Sequence, residues 1–159
     1  MSGGAVMKQK GKGWQDELLK RVKEATSQEA AVGFPRGKDG IGNPHYENGA
    51  SILQVAIWNN YGLGVPRRPF MFVASKRIHE ATRAAITRTI QAINKGQSDG
   101  VKNLERMAIL AQGIIQTTIT DGGWTPNAPS TVAMKDSATP LIDSGDMRKA
   151  VTWVIRAKS

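Results

Sequence analysis

Two adjacent arginines, Arg67 and Arg68, have the most evident capacity for chemistry in this chain. Their planar guanidinium groups can hold a carboxylate, a phosphate or backbone carbonyl groups. They lie between Pro66 and Pro69, which restrict the backbone on both sides. The alternative is a packed corner of the surface whose arginines are only solvated. The pattern therefore predicts either a binding loop or a rigid turn.

Three aspartates near the C-terminus, Asp136, Asp143 and Asp146, form the one carboxylate cluster that could hold a divalent cation, as the sites of metal-dependent nucleases do. The segment 143–146 is equally suited to a turn before a strand. Its Asp and Ser side chains can bond to nearby backbone amides, and its glycine accepts unusual dihedral angles. We favour the turn.

Other signs of an active site are missing from the sequence. The two histidines, His45 and His79, are far apart and lack the spacing of metal ligands. The chain has no cysteine, no phosphate-binding loop, no nucleophile elbow and no dinucleotide fingerprint. We therefore expect a protein that is not an enzyme and that uses neither a metal nor a cofactor.

The composition is that of an ordinary globular protein, with 40% hydrophobic and 22% charged residues among 159. A chain of this length can bury one sizeable core, and we expect residues 13–159 to form a single domain. No apolar run approaches the roughly 20 residues that cross a bilayer, and the N-terminus lacks the hydrophobic stretch of a signal peptide. The sequence predicts a protein that stays in the cytoplasm and has no membrane partner.

Basic residues outnumber acidic residues by 22 to 13, which gives a net charge of +9. Between positions 66 and 95 there is one acidic residue, Glu80, against seven basic residues. The basic residues are Arg67, Arg68, Lys76, Arg77, Arg83, Arg88 and Lys95. Such a surface attracts DNA, RNA, anionic lipid or an acidic protein, and charge alone does not choose among them. Because the chain lacks a motif that combines aromatic and basic residues for base stacking, any contact with nucleic acid would be independent of sequence.

The first third of the chain alternates between regular and irregular patterns. Residues 1–12 are rich in glycine and lysine and have no apolar period, so we expect a flexible basic tail. In residues 14–26 apolar side chains recur every three or four positions, which predicts an amphipathic helix. The apolar run 30–34 predicts a strand, and the glycine-rich segment 36–49 predicts an exposed loop.

The middle of the chain is predicted to be helical. Residues 52–60 fit either a short helix or a buried strand, and we favour the helix. Pro69 suits the first turn of a long helix that ends near Asn94, and a second helix is expected over residues 101–120. The short link between them predicts an antiparallel pair. The first of the two long helices has a basic face and an apolar face, the latter formed by Met71, Ala74, Ile78, Ala81, Ala85, Ile86, Ile90 and Ile93.

The last part of the chain contains a loop and a strand. The proline-rich segment 124–131 predicts irregular structure, which Trp124 is expected to pin to the body by burying its ring. The β-branched run 151–155 is the best strand in the sequence.

Three blocks of the chain resemble, in order, the tail-completion and neck (head-tail joining) proteins of tailed double-stranded DNA bacteriophages. The blocks are Val32-Gly33-Phe34-Pro35 with Val55 to Phe70, Trp124-Thr125-Pro126-Asn127 with Thr131 and Lys135, and Pro140 to Arg148 running into Val151-Thr152-Trp153-Val154. Ser144 and Met147 replace the more usual Thr and Leu and keep their character. Asn60 stands where the family more often has Glu, so an ion pair made by that Glu is not expected here.

The resemblance implies a small α+β protein, with a mixed or antiparallel sheet packed against two long helices. The N-terminal helix predicted over residues 14–26 from its apolar spacing is added to this fold. The resemblance also implies a structural virion protein that acts by binding, as a homo-oligomeric ring for which six subunits are expected. Such a ring caps the head-proximal end of the tail or joins the tail to the head. It is assembled in the cytoplasm of the bacterial host, contacts other neck, tail-tube or connector proteins, and lies close to genomic double-stranded DNA.

A ring requires an interface in which one patch meets a different patch of the neighbour. The loop from Gly62 to Arg68 and the loop at 36–49 are the irregular elements best placed to form one. The residues that we expect at the interface between subunits or partners are Tyr61, Leu63, Val65, Arg67, Arg68, Phe70, Asp143 and Arg148. The alternatives are a sequence-independent nucleic-acid-binding protein of a mobile element and the metal-dependent nuclease considered above.

Overall fold

Two long helices and a two-stranded antiparallel sheet form the centre of this α+β fold. A computed structural model of the chain describes residues 13–35, 45–96, 100–134, 139–142 and 144–158. The predicted tail, most of the loop at 36–49, and both Asp136 and Asp143 lie outside these ranges. The elements in chain order are α1 Gly13–Thr26, β1 Gln28–Gly33, α2 Ile52–Tyr61, α3 Phe70–Asn94, α4 Gly100–Asp121, α5 Pro129–Met134, α6 Asp146–Lys149 and β2 Thr152–Ala157.

Helices α3 and α4 pack against each other in antiparallel orientation, as predicted. Arg77 in the first half of α3 donates a hydrogen bond from Nη1 to Thr118 Oγ1 near the end of α4, at 3.1 Å. At the opposite end of the pair, Ala92 and Asn103 line the same cavity. None of the helices in the described ranges combines the length and the apolar character needed to cross a bilayer.

The buried face of α3 is narrower than its sequence pattern predicts. Phe70 and Ala74 are fully buried, whereas Ala81, Ile86 and Ile90 are exposed. The periodicity assigns all five residues to one apolar half of the helix. The last three residues lie on this apolar side of the helix and are nevertheless exposed, because a helix that packs on few neighbours buries only a stripe of its circumference.

The sheet joins the two ends of the described chain. Strands β1 and β2 pair in the register Gln28↔Ala157 to Gly33↔Thr152, and α4 packs against both strands. An ion pair between Arg156 Nε and Glu29 Oε1, at 2.7 Å, links opposite residues at the surface. This pairing places β1 next to β2, which directly follows the core residue Val151.

The core lies where α2, the start of α3, the end of α4, α6 and the residue before β2 meet. Its buried members are Ile52, Ala56, Phe70, Ala74, Ile115, Ile119, Leu141, Met147 and Val151. The ring of Trp124 packs against this core, and its Nε1 donates to the carbonyl oxygens of Thr118 and Ile119 at 3.1 and 3.2 Å. The prediction that Trp124 pins the loop after α4 is confirmed.

The segment predicted to be irregular over 124–131 ends in a short helix, α5. Pro129 begins this helix. Proline is tolerated there because the first N–H of a helix makes no intrahelical hydrogen bond. The amides of Thr131 and Val132 donate to the Ala128 carbonyl oxygen at 2.9 and 3.0 Å. The prediction is therefore correct for residues 124–128 and wrong for 129–131, because proline in a first turn favours a helix.

Candidate functional site

Helix α2 carries apolar side chains on two opposite sides. Ile52 and Ala56 on one side are buried in the core. With 3.6 residues per turn, the opposite side carries residues that are exposed, Ile57, Trp58 and Tyr61. A helix that is apolar on both sides has a second surface that burial would stabilise.

This apolar surface continues into the loop that follows α2. We call the exposed residues together the loop patch, and their exposed fractions are Ile57 41%, Trp58 40%, Tyr61 65%, Leu63 55% and Val65 38%. Grouped exposure of this kind is typical of interaction sites, because isolated proteins seldom leave several large apolar side chains uncovered in one place. Arg67 is exposed in the same loop.

The backbone of the loop is tightly folded at Gly62. This residue ends α2 in the left-handed conformation, with φ of 77°, and its amide and that of Leu63 donate to the Trp58 carbonyl oxygen at 2.8 and 2.9 Å. A Cβ at position 62 would lie 2.9 Å from the Cβ of Arg67. Glycine is therefore required for both the dihedral angle and the close approach.

Arg68 is buried beneath the loop and holds three segments together. Its side chain donates four hydrogen bonds, from Nη1 to Asn59 Oδ1 at 2.8 Å, from Nε to the Thr125 carbonyl at 3.0 Å, and from Nη2 to Asn127 Oδ1 at 2.9 Å and the Pro126 carbonyl at 3.3 Å. Its amide donates to the Asn59 carbonyl oxygen at 2.7 Å. We call this arrangement the Arg68 clamp.

The clamp pairs a charge with neutral acceptors. All four side-chain acceptors of Arg68 are amide or carbonyl oxygens, and burial lowers the pKa of its guanidinium from the usual value. Arginine stays protonated near pH 7 all the same, because its ordinary pKa is far above that pH. The buried charge therefore depends on the loop at 125–127 and on the end of α2 for its solvation.

The start of α3 is fixed next to the clamp. Asn60 Oδ1 accepts a hydrogen bond from the Met71 amide at 3.1 Å and so satisfies one of the free N–H groups of the first turn. Phe70 is fully buried in the core. Together these contacts give the exposed loop patch a rigid base.

The structure divides the predicted interface residues into two groups. Tyr61, Leu63, Val65 and Arg67 are exposed together in the loop, as an interface requires. Arg68 and Phe70 are 4% and 0% exposed, so the expectation that they face a partner is corrected. Both side chains are occupied inside the chain, one by the clamp and one by the core.

Of the two remaining predicted residues, Arg148 has no contact with the loop patch among the described residues. Arg148 is exposed on α6, and its carbonyl oxygen accepts from Gln116 Nε2 at 3.3 Å. Asp143 lies outside the described residues. Sequence reasoning assigned neither Ile57 nor Trp58 to the interface, although the apolar residues on both sides of α2 are the signal that could have found them.

The acidic segment near the C-terminus has the geometry of a turn. The Ser144 hydroxyl donates to Asp146 Oδ2, and Gly145 has a φ of 79° immediately before α6. The hydroxyl of Ser144, followed by Lys149, holds the pKa of the Asp146 carboxyl below its usual value. In the described part of the chain no three His, Asp or Glu side chains are grouped so that they could hold a metal ion.

The basic residues predicted for α3 are all at the surface. The exposed basic side chains are those of Lys76, Arg77, Arg83 and Arg88 in the helix and of Lys95 directly after it. The Lys76 ammonium lies 4.9 Å from the centre of the Phe72 ring, a cation–π distance. These residues form a second surface feature, separate in sequence from the loop patch.

Comparisons of the chain with models of protein families, with curated proteins and with solved structures found no match.

Proposed function

We propose that this chain is a structural protein of a tailed bacteriophage that closes the head-proximal end of the tail or joins the tail to the head. It acts as a homo-oligomeric ring, expected to contain six subunits, within the virion neck. The proposal is supported by the three sequence blocks that resemble tail-completion and neck proteins. The observation that carries it is the exposed loop patch, which offers an apolar surface on a rigid base.

The geometry of the loop favours binding without rearrangement. The turn at Gly62 and the Arg68 clamp fix its backbone before a partner arrives. A preorganised surface loses little conformational entropy on association, so more of the contact energy remains as affinity. This property suits a subunit that must assemble in one defined geometry.

The size of the loop patch indicates the kind of assembly. Burying one large apolar side chain completely is worth about 1.5–3 kcal/mol, and the five residues of the patch are already about half covered. They would contribute roughly 4–7 kcal/mol, which is comparable to the estimated 4–15 kcal/mol lost in association. A single contact of this size is weak, whereas closure of a ring gives each subunit two contacts.

Arg67 is the polar member of the proposed interface. It is exposed in the same loop as the apolar residues, while its neighbour Arg68 is already occupied. Among the described residues its guanidinium has no hydrogen-bond partner, so it can hold a carboxylate or carbonyl oxygens of the adjacent subunit or of another neck, tail-tube or connector protein. In this view Arg67 selects the geometry of the contact and the apolar residues supply most of its strength.

The test compares a loop-patch variant with a matched control. Tyr61→Ser combined with Leu63→Ser removes apolar surface from the patch, and Leu19→Ser combined with Phe72→Ser removes exposed apolar surface elsewhere. Sedimentation velocity of the purified proteins should give a ring for the parent and the control, and a monomer for the patch variant. A patch variant that keeps the oligomeric state of the parent, or a parent that is monomeric, contradicts the proposal.

The biological part of the proposal is tested in infected cells. A phage that lacks the gene for this chain should produce filled heads and tails that do not join, visible by electron microscopy of lysates. The length of the free tails distinguishes completion of the tail from control of its length. Complementation by the control variant should restore whole particles, and complementation by the patch variant should not. Normal particles from the deletion would remove the neck assignment.

A sequence-independent nucleic-acid-binding protein is the second candidate. It is favoured by the four exposed basic residues of α3 and by the exposed Lys95 that follows the helix. A strongly positive channel would retain DNA and slow its exit, so the neck proposal predicts weak binding. Gel shifts with duplex DNA over a range of salt concentrations separate the two, because tight binding with a steep dependence on salt would favour the second candidate.

A further inference from the structure

A groove runs along the outer side of the α3–α4 pair, away from the loop patch in sequence. Its floor is formed by Ala81, Ile109, Leu110, Gly113 and Ile114, and its volume is about 590 Å³. Leu110 also lines a second cavity, of about 380 Å³, which extends the depression towards Arg88 and Arg106. We call the two depressions, which meet at Leu110, the hairpin groove.

The floor of the hairpin groove is apolar and open. Ile109 and Leu110 are 57% and 44% exposed. Gly113 lies within α4, where glycine is about 1 kcal/mol less favourable than alanine. A Cβ at this position would meet no other atom within 4 Å, so the space above Gly113 is free. The floor is therefore flat enough for a backbone to approach closely.

The rim of the groove is positively charged. Arg77 lies at one end, and Arg88 and Arg106 lie at the other. Among the described residues, no carboxylate lies within 4 Å of any of these three guanidinium groups. Glu80 and Arg88 both line a separate cavity on the outer side of α3. Arg77 donates to Thr118 Oγ1 at 3.1 Å and Arg106 to Asn103 Oδ1 at 3.5 Å, which are neutral acceptors.

We propose that the hairpin groove binds an acidic amphipathic helix of another protein. An apolar floor between arginines complements a helix with an apolar stripe flanked by carboxylates. The eleven-residue separation of Arg77 and Arg88 corresponds to about 16 Å along the helix axis, or roughly three turns of a bound helix. This site uses none of the residues of the loop patch, so it goes beyond ring assembly and survives if that proposal fails.

Charge distinguishes this occupant from a second copy of the chain. The net charge of the chain is +9, and the rim itself is cationic, so a second copy would bring like charges together. The exposed apolar floor distinguishes the occupant from nucleic acid, since phosphate groups gain nothing from contact with Ile109 and Leu110. An acidic helix satisfies both the floor and the rim.

The experiment uses two designed peptides and the full chain. The first is a peptide of about 18 residues with leucine at every third or fourth position and glutamate on both flanks of that stripe. The second carries lysine in place of every glutamate. Fluorescence anisotropy should detect binding of the glutamate peptide and little binding of the lysine peptide. Absence of binding by the glutamate peptide, or equal binding by both, overturns the proposal.

Gly113→Leu is the most direct variant, because a Cβ at this position meets no other atom within 4 Å and the longer side chain would occupy the groove. Leucine also favours a helix more than glycine does, so the fold should not be weakened, which thermal unfolding would check. We expect at least about tenfold weaker peptide binding, equal to 1.4 kcal/mol. Gly13→Leu is the matched control, since a Cβ at Gly13 also meets nothing within 4 Å.

A charge-reversal pair tests the rim. Arg77→Glu, Arg88→Glu and Arg106→Glu combined should abolish binding, whereas the control Lys20→Glu, Lys23→Glu and Lys76→Glu changes the net charge equally and should retain most of it. Two outcomes would replace the acidic helix with another occupant and so overturn the proposal. The first outcome is that the chain binds duplex DNA and Gly113→Leu abolishes this binding while binding of the glutamate peptide persists. The second outcome is that the chain associates with itself and Gly113→Leu abolishes this self-association.

Discussion

Replacing Arg68 should destabilise the fold, whereas replacing its neighbour Arg67 should not. The two residues are adjacent and identical in type, but Arg68 is 4% exposed and Arg67 is at the surface. Arg68→Ala removes a clamp that joins the end of α2 to the loop at 125–127. Arg67→Ala removes no described hydrogen bond of the side chain.

The magnitude follows from the groups that Arg68 leaves behind. Four acceptor oxygens lose their donor, and a buried unsatisfied polar group costs about 1–3 kcal/mol. Thr125 and Pro126 are exposed residues, so water can reach their carbonyl groups once the side chain is gone. Removing a buried charge also relieves its own desolvation, which offsets part of the loss. We therefore expect Arg68→Ala to lower the free energy of unfolding by about 2–4 kcal/mol, which corresponds to about two acceptors left without a donor.

Urea unfolding followed by circular dichroism measures this difference. Arg67→Ala should change the free energy of unfolding by no more than about 0.5 kcal/mol, as is usual for a surface position. Arg68→Lys should fall between the two, because an ammonium group keeps the charge but lacks the planar fork. Equal midpoints for Arg67→Ala and Arg68→Ala, with equal slopes, would refute the account of the clamp.

Three further substitutions, with a matched control at Gly64, test the supports of the loop. Gly62→Ala should lower the free energy of unfolding by about 2–3 kcal/mol, through the strain of the left-handed conformation and the 2.9 Å contact with Arg67 Cβ. Gly64→Ala is the control: its φ is 74° and its Cβ would meet open space, so we expect only the strain of about 1–2 kcal/mol. Equal losses of stability in thermal unfolding would disprove the contact. Asn60→Ala should lower the free energy of unfolding by about 1 kcal/mol, because the Met71 amide in the first turn of α3 loses its acceptor. This amide should then exchange its hydrogen faster. Unchanged exchange would exclude a capping role for Asn60. Asn127→Asp places a carboxylate against Arg68 and removes an amide nitrogen that has no partner in the described structure, so the variant should be stabilised at pH 7. The Arg68 charge would lower the folded-state pKa of the new carboxyl below the usual value of about 3.9, so the gain should be present above that pH and lost as the pH falls through the lowered pKa. A gain that does not depend on pH would contradict this pairing.

Local patterns in the sequence account for the helices, the strands and the turn at Gly62. Apolar residues at helical spacing, a glycine at the end of α2 and the β-branched run before the C-terminus are all signals between residues close in the chain. The predicted strands differ from the observed ones by one or two residues at each end, over 30–34 against Gln28–Gly33 and over 151–155 against Thr152–Ala157. At α5, Pro129 begins a helix instead of extending a loop. Such elements are determined locally because their hydrogen bonds join near neighbours.

Only the tertiary structure decided which residues of the loop are free to bind. No local signal separates Arg67 from Arg68, and burial of the second depends on carbonyl groups 57 and 58 positions away in the chain. The exposure of Ile86 and Ile90 and the openness of the hairpin groove likewise depend on which neighbours pack against α3. The sequence determined where apolar and basic side chains stand along each helix, whereas long-range packing determined which of them remained at the surface, because burial is a property of the assembled elements and not of their order.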